Sequence, residues 1–545
     1  MGTRYFGERV KRNEDPRLLT GRGTFVDDIR LPGMLHGAVL RSPHAHARLL
    51  SLDTSKAKTA RGVVAVYTRT DLPEHLQQPL PKLIPHYALI HHKTQYALAP
   101  EKVRYVGEPV AFVVAESRYL AEDAAELVEV EYEPLPPVVD LTQAAQPNAP
   151  LVHEDMGTNV CAHHTQRVGN VEDAFARAAH VFTERFVMDR GTAAPMECRG
   201  IVAQWEPKMR QLTVWDSTQA PIPIRNGLAR LLGLPQGGVR VIAPDVGGGF
   251  GPKIMMFYPE EILVPCAAMQ LGRPVKWIED RRENFVAMNQ EREQIHVAAI
   301  AVDSDGRILG VRTNFLYDSG AYIPYGIIVP IVASTTLPGP YKIPNYHCEF
   351  KAVFTNKTIV SPYRGAGRPH GVFVMERLMD RVAKELRIDR TEVRRRNLIQ
   401  PHEFPYEVGL IYQDNAPVIY DSGDYPATLA KALQMIGYDM WPERRARYRR
   451  EDKYVGLGIA CYVEGSGIGP YEGARVTVEP SGKVYAATSV GTQGQGHFTS
   501  FAQIVADALT VPVEDVVVVT GDTGAFGWGT GTFASRAAVV AGNAV

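Results

Sequence analysis

Two apolar, strand-like runs, 295–302 and 308–316, flank Asp303-Ser304-Asp305-Gly306, whose Asp and Gly residues favour a hairpin turn. From 373 to 386 the apolar residues fall at 374, 375, 378, 379, 382 and 386, the spacing of one helix face. Short strands at 37–40 and 109–114 surround a helical stretch over 120–130, and Glu131-Tyr132-Glu133-Pro134-Leu135-Pro136-Pro137 stops that pattern and starts a linker. Further on, 473–478 and 483–489 read as a hairpin around Pro480-Ser481-Gly482, 501–509 as a helix and 515–520 as a strand. The Pro- and Tyr-rich stretch 401–426 reads as a connector. These elements divide the chain into three α+β units, 18–140, 165–410 and 430–545.

A chain of 545 residues exceeds one core and suggests three or four domains at roughly 150 residues each. Its 45% apolar and 22% charged residues are ordinary for a globular protein, and a net charge of −1 favours neither nucleic acid nor an anionic membrane. The basic clusters Arg394-Arg395-Arg396 and Arg444-Arg445-Ala446-Arg447-Tyr448-Arg449-Arg450 lie among acidic residues and read as solvated helix faces or subunit contacts. Five widely spaced cysteines (161, 198, 266, 348, 461) argue for a reducing compartment and against a disulfide framework, a zinc site or an iron–sulfur motif. No secretory signal opens the chain and no apolar run approaches the ~18 residues of a membrane span, so a cytoplasmic location is expected.

The run Asp245-Val246-Gly247-Gly248-Gly249-Phe250-Gly251-Pro252-Lys253 stands out, because consecutive glycines lose the most backbone entropy on folding. It follows the strand-like 239–243 and precedes a helix-like run over 254–271. A bare backbone between strand and helix suits close approach of amides to an anionic ligand; a tight structural turn explains the glycines equally well.

Four motifs in order carry a resemblance: Trp215-Asp216-Ser217-Thr218-Gln219; Gly248-Gly249-Phe250-Gly251; Pro362-Tyr363-Arg364-Gly365-Ala366-Gly367-Arg368; and Gly491-Thr492-Gln493-Gly494-Gln495-Gly496-His497. Together they resemble the molybdenum-binding large subunit of the xanthine dehydrogenase/aldehyde oxidase family, which includes aerobic carbon monoxide dehydrogenase large subunits. The resemblance runs from about Arg9 to the last residue. It implies an α+β fold: an N-terminal hammerhead-like α/β domain, then molybdopterin-binding α+β domains. The apolar run 537–545 reads as a helix cut at its end, and since family members continue further, a C-terminally truncated or split subunit is expected, its last domain incomplete.

The cofactor implied is molybdopterin with molybdenum, in the cytosine dinucleotide form, with no iron–sulfur cluster or FAD in this chain. Iron–sulfur and FAD-binding subunits are the implied partners; the subunit is either completed by a separate chain supplying the missing C-terminal half or represented only in part, and the family's catalytic glutamate lies in that missing region. Neither Glu464 nor Glu472 matches that base motif. By resemblance Gln219 hydrogen-bonds near the metal, the amide of Gly251 approaches it beside Gly249, and Phe250 shapes the substrate slot. Gln493, Gly494, Gln495, Gly496 and His497 resemble the loop gripping the pterin, glutamine offering donor and acceptor together. Gly524, Thr532, Ser535 and Arg536 either extend that grip to phosphates or form an ordinary turn. Arg364 is implied to orient substrate and stabilise negative charge on its oxygen; the alternative is an arginine that pins a glycine turn. Most members offer the metal no protein ligand, so no metal-ligating side chain is assigned.

Two departures bear on the substrate. Gly365 stands where copper-carrying carbon monoxide dehydrogenases have cysteine, so the chain resembles the form II branch and copper-dependent CO oxidation is not expected. Ile254 replaces the glutamate of purine-oxidising members and favours an aldehyde or aromatic heterocycle. The implied activity is oxidative hydroxylation with water as oxygen source; the alternative is a catalytically incomplete fragment with a cofactor-binding or assembly role.

Overall fold

The computed structural model describes residues 4–254 and 257–545. Met1 to Thr3, and the part of the expected 254–271 helix at 255 and 256, lie outside the described residues.

A seven-stranded mixed sheet forms the first layer, ordered Val239–Ile242, Gln211–Asp216, Gly200–Glu206, Val275–Ile278, Leu35–Arg41, Pro109–Ala115, Val63–Tyr67. Leu35 and His36 pair in parallel with Val275 and Lys276, so one sheet joins strands from early and middle parts of the chain. Pro109–Ala115 is buried along its whole length, which fits its unbroken apolar run. Helix Glu260–Leu271 packs on this sheet and also carries an unbroken buried stretch.

The second layer is a five-stranded sheet ordered Val160–Val168, Tyr346–Phe354, Ile308–Gly320, Gln294–Val302, His180–Met188. The hairpin expected around 303–306 is present; Asp303 accepts hydrogen bonds from the amides of Asp305 and Arg307, both at 2.9 Å. Helix Arg368–Leu386 buries Val374, Met375, Leu378, Met379 and Val382 against this layer, as its spacing predicts. A three-stranded sheet, Ala474–Val478, Val484–Thr488 and Val516–Val519, is covered by helix His497–Leu509.

Several elements differ from the sequence expectation. The helix after the glycine run starts at Glu260, preceded by a 3-10 turn at Pro252–Ile254, so the glycines do not open onto a helix N-terminus. The helix expected over 120–130 spans Arg118–Glu126, and Glu129–Pro134 is a strand paired with Ala47–Asp53. Within 401–426, Tyr406–Ile411 and Pro417–Tyr420 pair as a hairpin. Arg394 is not on a solvated face: it is buried in helix Arg390–Asn397 and bound to Glu376 and Asp380 at 2.7 and 3.1 Å. Helix Trp441–Arg450, in contrast, buries none of its side chains.

Candidate functional site

Gln219 sits just before helix Pro221–Leu231, at the end of the segment leaving strand Gln211–Asp216. Only 4% of it is exposed. Its carbonyl oxygen accepts the Gly251 amide at 2.8 Å, and its side-chain nitrogen donates to the Thr532 carbonyl at 2.9 Å. The Thr532 amide returns a bond to the Gln219 backbone carbonyl at 3.0 Å, and the Thr532 hydroxyl donates to the Gly491 carbonyl. The Gln219 side chain thus ties the glycine run to the 529–536 segment, across 313 residues of sequence, and the Thr532 hydroxyl extends the tie to the 491–497 loop. A second N–H on the Gln219 amide remains.

The glycines have a structural cause. A Cβ on Gly247 would lie 2.4 Å from the Glu197 Cβ, one on Gly249 would lie 2.7 Å from Gln219, and one on Gly251 would lie 2.0 Å from the Pro362 carbonyl oxygen. Protein groups fill the space at these three positions, rather than a ligand. The Gly251 amide is engaged by Gln219 and the Gly247 amide by the Glu197 carboxylate at 2.8 Å. The amides of Gly248, Gly249 and Phe250 have no protein acceptor among the described residues. Phe250 adopts φ +59, unusual for a bulky residue, and its ring lies over Gly248 with 40% of the residue exposed.

Beneath the run, the buried Lys253 ammonium donates to the Ser217 hydroxyl at 2.7 Å and to the Glu197 carbonyl and carboxylate at 2.9 and 3.1 Å. Its backbone carbonyl accepts the Gln219 amide at 2.9 Å, so Lys253 anchors both halves of the site. Burial pushes the neighbouring Asp216 carboxyl up to about 7 and holds Glu261 well above the usual carboxylate range, while it lowers the Lys253 ammonium. Ile254 packs half-buried against the core of the five-stranded sheet.

Arg364 is exposed, and its guanidinium makes no hydrogen bond or ion pair among the described residues. Its backbone fixes the turn: the Arg364 amide donates to the Phe250 carbonyl at 2.9 Å. The side chain therefore does not pin the glycine turn. Gly365, at φ +101, would place a Cβ 2.5 Å from the Pro369 ring.

The 491–497 loop precedes helix His497–Leu509. Gln493 and Gln495 bond each other, through the Gln493 amide to Gln495 at 2.6 Å and the Gln495 side-chain nitrogen to Gln493 at 2.9 Å. Three buried polar atoms here have no hydrogen-bond partner among the described residues: Thr492 Oγ1, Gln493 Nε2 and His497 Nδ1. Burial depresses the His497 imidazole to about 4, so it is neutral at pH 7. Gly494 and Gly496 take φ +100 and +84, and Arg12 donates to the Gly494 carbonyl at 3.3 Å. Unsatisfied buried donors and acceptors are costly. A hydroxyl, an amide N–H and an imidazole nitrogen on one loop fit a polar heterocycle such as a pterin.

Within the proposed phosphate grip, the Arg536 side chain, like the Thr532 hydroxyl, is committed to protein partners. Arg536 is fully buried and bound to Glu472, the Ile468 carbonyl at 2.8 Å and the Tyr471 carbonyl at 2.9 Å. Glu472 also accepts from Ser489 and from the amides of Thr530 and Gly531, so neither partner is free for a ligand or for base chemistry. Gly524 packs on Arg240, and Ser535, at φ +51, is exposed with its carbonyl accepting the Gly467 amide at 3.2 Å. Sequence reading missed Glu197, Thr492 and Lys253, none of which belongs to a spacing pattern; Thr492 and Lys253 lay inside quoted motifs. Among the described residues no three His, Cys, Asp or Glu side chains group as a metal site, and no helix is long and apolar enough to cross a membrane.

Residues 152–398 and 431–545 each match the molybdopterin cofactor-binding domain, and residues 20–136 match the aldehyde oxidase and xanthine dehydrogenase a/b hammerhead domain. The nicotine 6-hydroxylase large subunit of Paenarthrobacter nicotinovorans is 38% identical over 99% of this chain and 66% of its own. The carbon monoxide dehydrogenase large chain of Afipia carboxidovorans is 37% identical over 99% of this chain and 69% of its own. The crystal structure of quinoline 2-oxidoreductase from Pseudomonas putida 86 superposes with a TM-score of 0.92 at 38% identity, covering 99% of this chain and 69% of that one. The chain spans about two thirds of the length of the curated relatives it matches. With its hammerhead segment, its two cofactor-binding segments and the Gln219-centred junction between them, the chain belongs to the molybdenum-binding large subunits of the xanthine dehydrogenase/aldehyde oxidase family.

Proposed function

We propose that this chain is the molybdopterin-binding part of a molybdenum hydroxylase that oxidises an aldehyde or an aromatic nitrogen heterocycle, in the cytoplasm. The observation that carries the reading is the trio of unsatisfied buried atoms, Thr492 Oγ1, Gln493 Nε2 and His497 Nδ1, beside the Gln219 junction. Gln493, Gln495 and His497 would hold the pterin edge, and the unengaged amides of Gly248, Gly249 and Phe250 together with the remaining Gln219 N–H would face the polar end of the cofactor. The cytosine dinucleotide form, and iron–sulfur and FAD-binding partner subunits to take the electrons, belong to the same reading. The bound cofactor supplies the two-electron redox chemistry of the hydroxylation.

The chain's own groups bind and orient. The Arg364 guanidinium, which has no partner among the described residues, is available to a substrate oxygen or ring nitrogen on which negative charge develops. The exposed Phe250 ring offers an apolar face to a planar substrate. The relatives named as hydroxylating nicotine and oxidising quinoline support a heterocyclic substrate. Gly365 carries no sulfur for copper, which argues against CO oxidation. The test is metal and pterin content of the chain purified with its neighbouring-gene products, followed by turnover of quinoline and benzaldehyde with a dye acceptor. Stoichiometric molybdenum and pterin with turnover supports the reading. Absence of both metal and pterin overturns it and leaves an assembly role.

A further inference from the structure

The turn carrying Arg364 is gripped by a buried cluster that none of the four motifs contains. Glu291 has no exposed surface and pairs through its backbone with Gly191, its amide donating at 3.0 Å and its carbonyl accepting at 2.8 Å. Its carboxylate accepts from the Arg292 guanidinium at 2.5 Å. The same guanidinium donates to the Arg364 backbone carbonyl and lies 4.5 Å from the centre of the Tyr363 ring. Arg292 also sits at φ +88, a left-handed conformation that a non-glycine residue keeps only when its surroundings impose it. Behind it, the buried His370 ring faces acceptors on both sides. Nδ1 is 3.2 Å from the Gly367 carbonyl, while Nε2 is 3.2 Å from the Arg292 carbonyl and 3.3 Å from Glu291. Residues 290 and 360 form a parallel bridge that brings the two segments alongside.

We propose that Arg292, fixed by the Glu291 carboxylate, is a positioning residue that sets the Arg364 turn and through it the Arg364 guanidinium. The proposal rests on the substrate-facing role given to Arg364 above. An arginine suits this task because its planar fork can serve the carboxylate and the carbonyl at once while its face covers an aromatic ring. A lysine offers one point charge and cannot span all three. His370 closes the cluster by wedging between the Arg292 carbonyl and the Gly367 carbonyl of the turn, its single ring N–H donating to one of them. The strained backbone at 292 aims the guanidinium at the turn rather than at solvent, where only 20% of the side chain is exposed.

The test uses the purified holoenzyme in four forms: wild type, Arg292→Ala, Arg364→Ala and the double variant. Hydrogen exchange reads the turn directly, because the amides of Ser361, Arg364, Ala366 and Arg368 are all hydrogen-bonded within it or to its neighbours. Arg292→Ala is expected to raise exchange across 361–368 at least tenfold while leaving strand Ile308–Gly320 unchanged, and Arg292→Lys to restore little of it. Equal exchange in wild type and Arg292→Ala overturns the clamp. With quinoline and benzaldehyde as probes, Arg292→Ala is expected to lower kcat at least tenfold with little change in KM. In the Arg364→Ala background it should add less than twofold, because Arg292 acts through Arg364. Multiplying effects overturn the positioning role even if exchange rises. An Arg364→Ala variant with full activity refutes the role of Arg364 itself. If neither probe is turned over, the substrate class fails and hydrogen exchange alone decides the clamp.

Discussion

Replacing Gln219 by glutamate tests whether one amide joins the two cofactor-binding segments. The native side chain accepts from Gly251 at 2.8 Å and donates to the Thr532 carbonyl at 2.9 Å, with only 4% of the residue exposed. A neutral carboxyl can make both bonds, through its carbonyl and its O–H. An ionised one can accept from Gly251 but sets a negative oxygen against the Thr532 carbonyl. The folded protein therefore prefers the protonated form, and the introduced carboxyl titrates well above its unfolded value of about 4.3. A rise of about 3 units, ordinary for a buried carboxyl, corresponds to about 4 kcal/mol. Because the folded pKa is raised, stability is retained below about pH 4.3 and lost as pH climbs, reaching a deficit of about 2 kcal/mol near pH 6 and its full size above pH 7. Urea midpoints of wild type and Gln219→Glu, compared at pH 4.5, 6 and 8, measure this deficit. Gln219→Ala serves as the control: it leaves the Gly251 amide and the Thr532 carbonyl without partners, at a pH-independent cost of about 2–4 kcal/mol. A Gln219→Glu deficit that stays flat with pH, or that is absent at pH 8, would refute the bridging geometry.

Gly251→Ala is expected to cost at least about 3 kcal/mol, since φ is +113 and the new Cβ would meet the Pro362 carbonyl oxygen at 2.0 Å; Gly237→Ala, where nothing lies within 4 Å, should change the urea midpoint little. His497 is depressed to about 4, so the unfolded chain takes up a proton there below pH 6.5 that the folded one refuses; stability falls by up to roughly 3 kcal/mol between pH 6.5 and 4. His497→Gln should flatten that part of the stability–pH curve, above a slope of the same sign from His153, which is depressed to about 3. Arg536→Met strands the buried Glu472 carboxylate and should cost about 3–5 kcal/mol by urea denaturation, part of which Glu472→Gln in the same chain restores.

What the sequence made legible was local. The hairpin around Asp303 and the helix over 373–386 follow from turn chemistry and from apolar spacing, and both are present, the helix beginning earlier, at Arg368. Runs of charge mislead because burial of an arginine depends on partners elsewhere: Arg394 is buried because Glu376 and Asp380 face it from the preceding helix. The Pro-rich 401–426 stretch hides a hairpin because its strands, Tyr406–Ile411 and Pro417–Tyr420, are too short and too exposed to carry an apolar pattern. The glycine run shows the limit most sharply. A missing side chain says that something comes close, not what does; at 247, 249 and 251 it is Glu197, Gln219 and Pro362. The hydrogen bond from Gln219 to Thr532 has no local signature at all.

That distance has a thermodynamic consequence for the site. The groups left unsatisfied on the 491–497 loop and the remaining Gln219 N–H come from segments held together by a few hydrogen bonds rather than by continuous chain. A ligand that engages both sides binds only their docked arrangement, so its binding free energy adds to docking. At a free concentration 100-fold above Kd, that addition is about 2.7 kcal/mol. The three orphaned atoms, at about 1–3 kcal/mol each when left unpaired, give the docked but empty arrangement a standing penalty that a polar ligand removes. Loading with cofactor should therefore protect the 491–497 and 529–536 segments from hydrogen exchange together, and more strongly than the hammerhead segment 20–136, which contributes none of these groups.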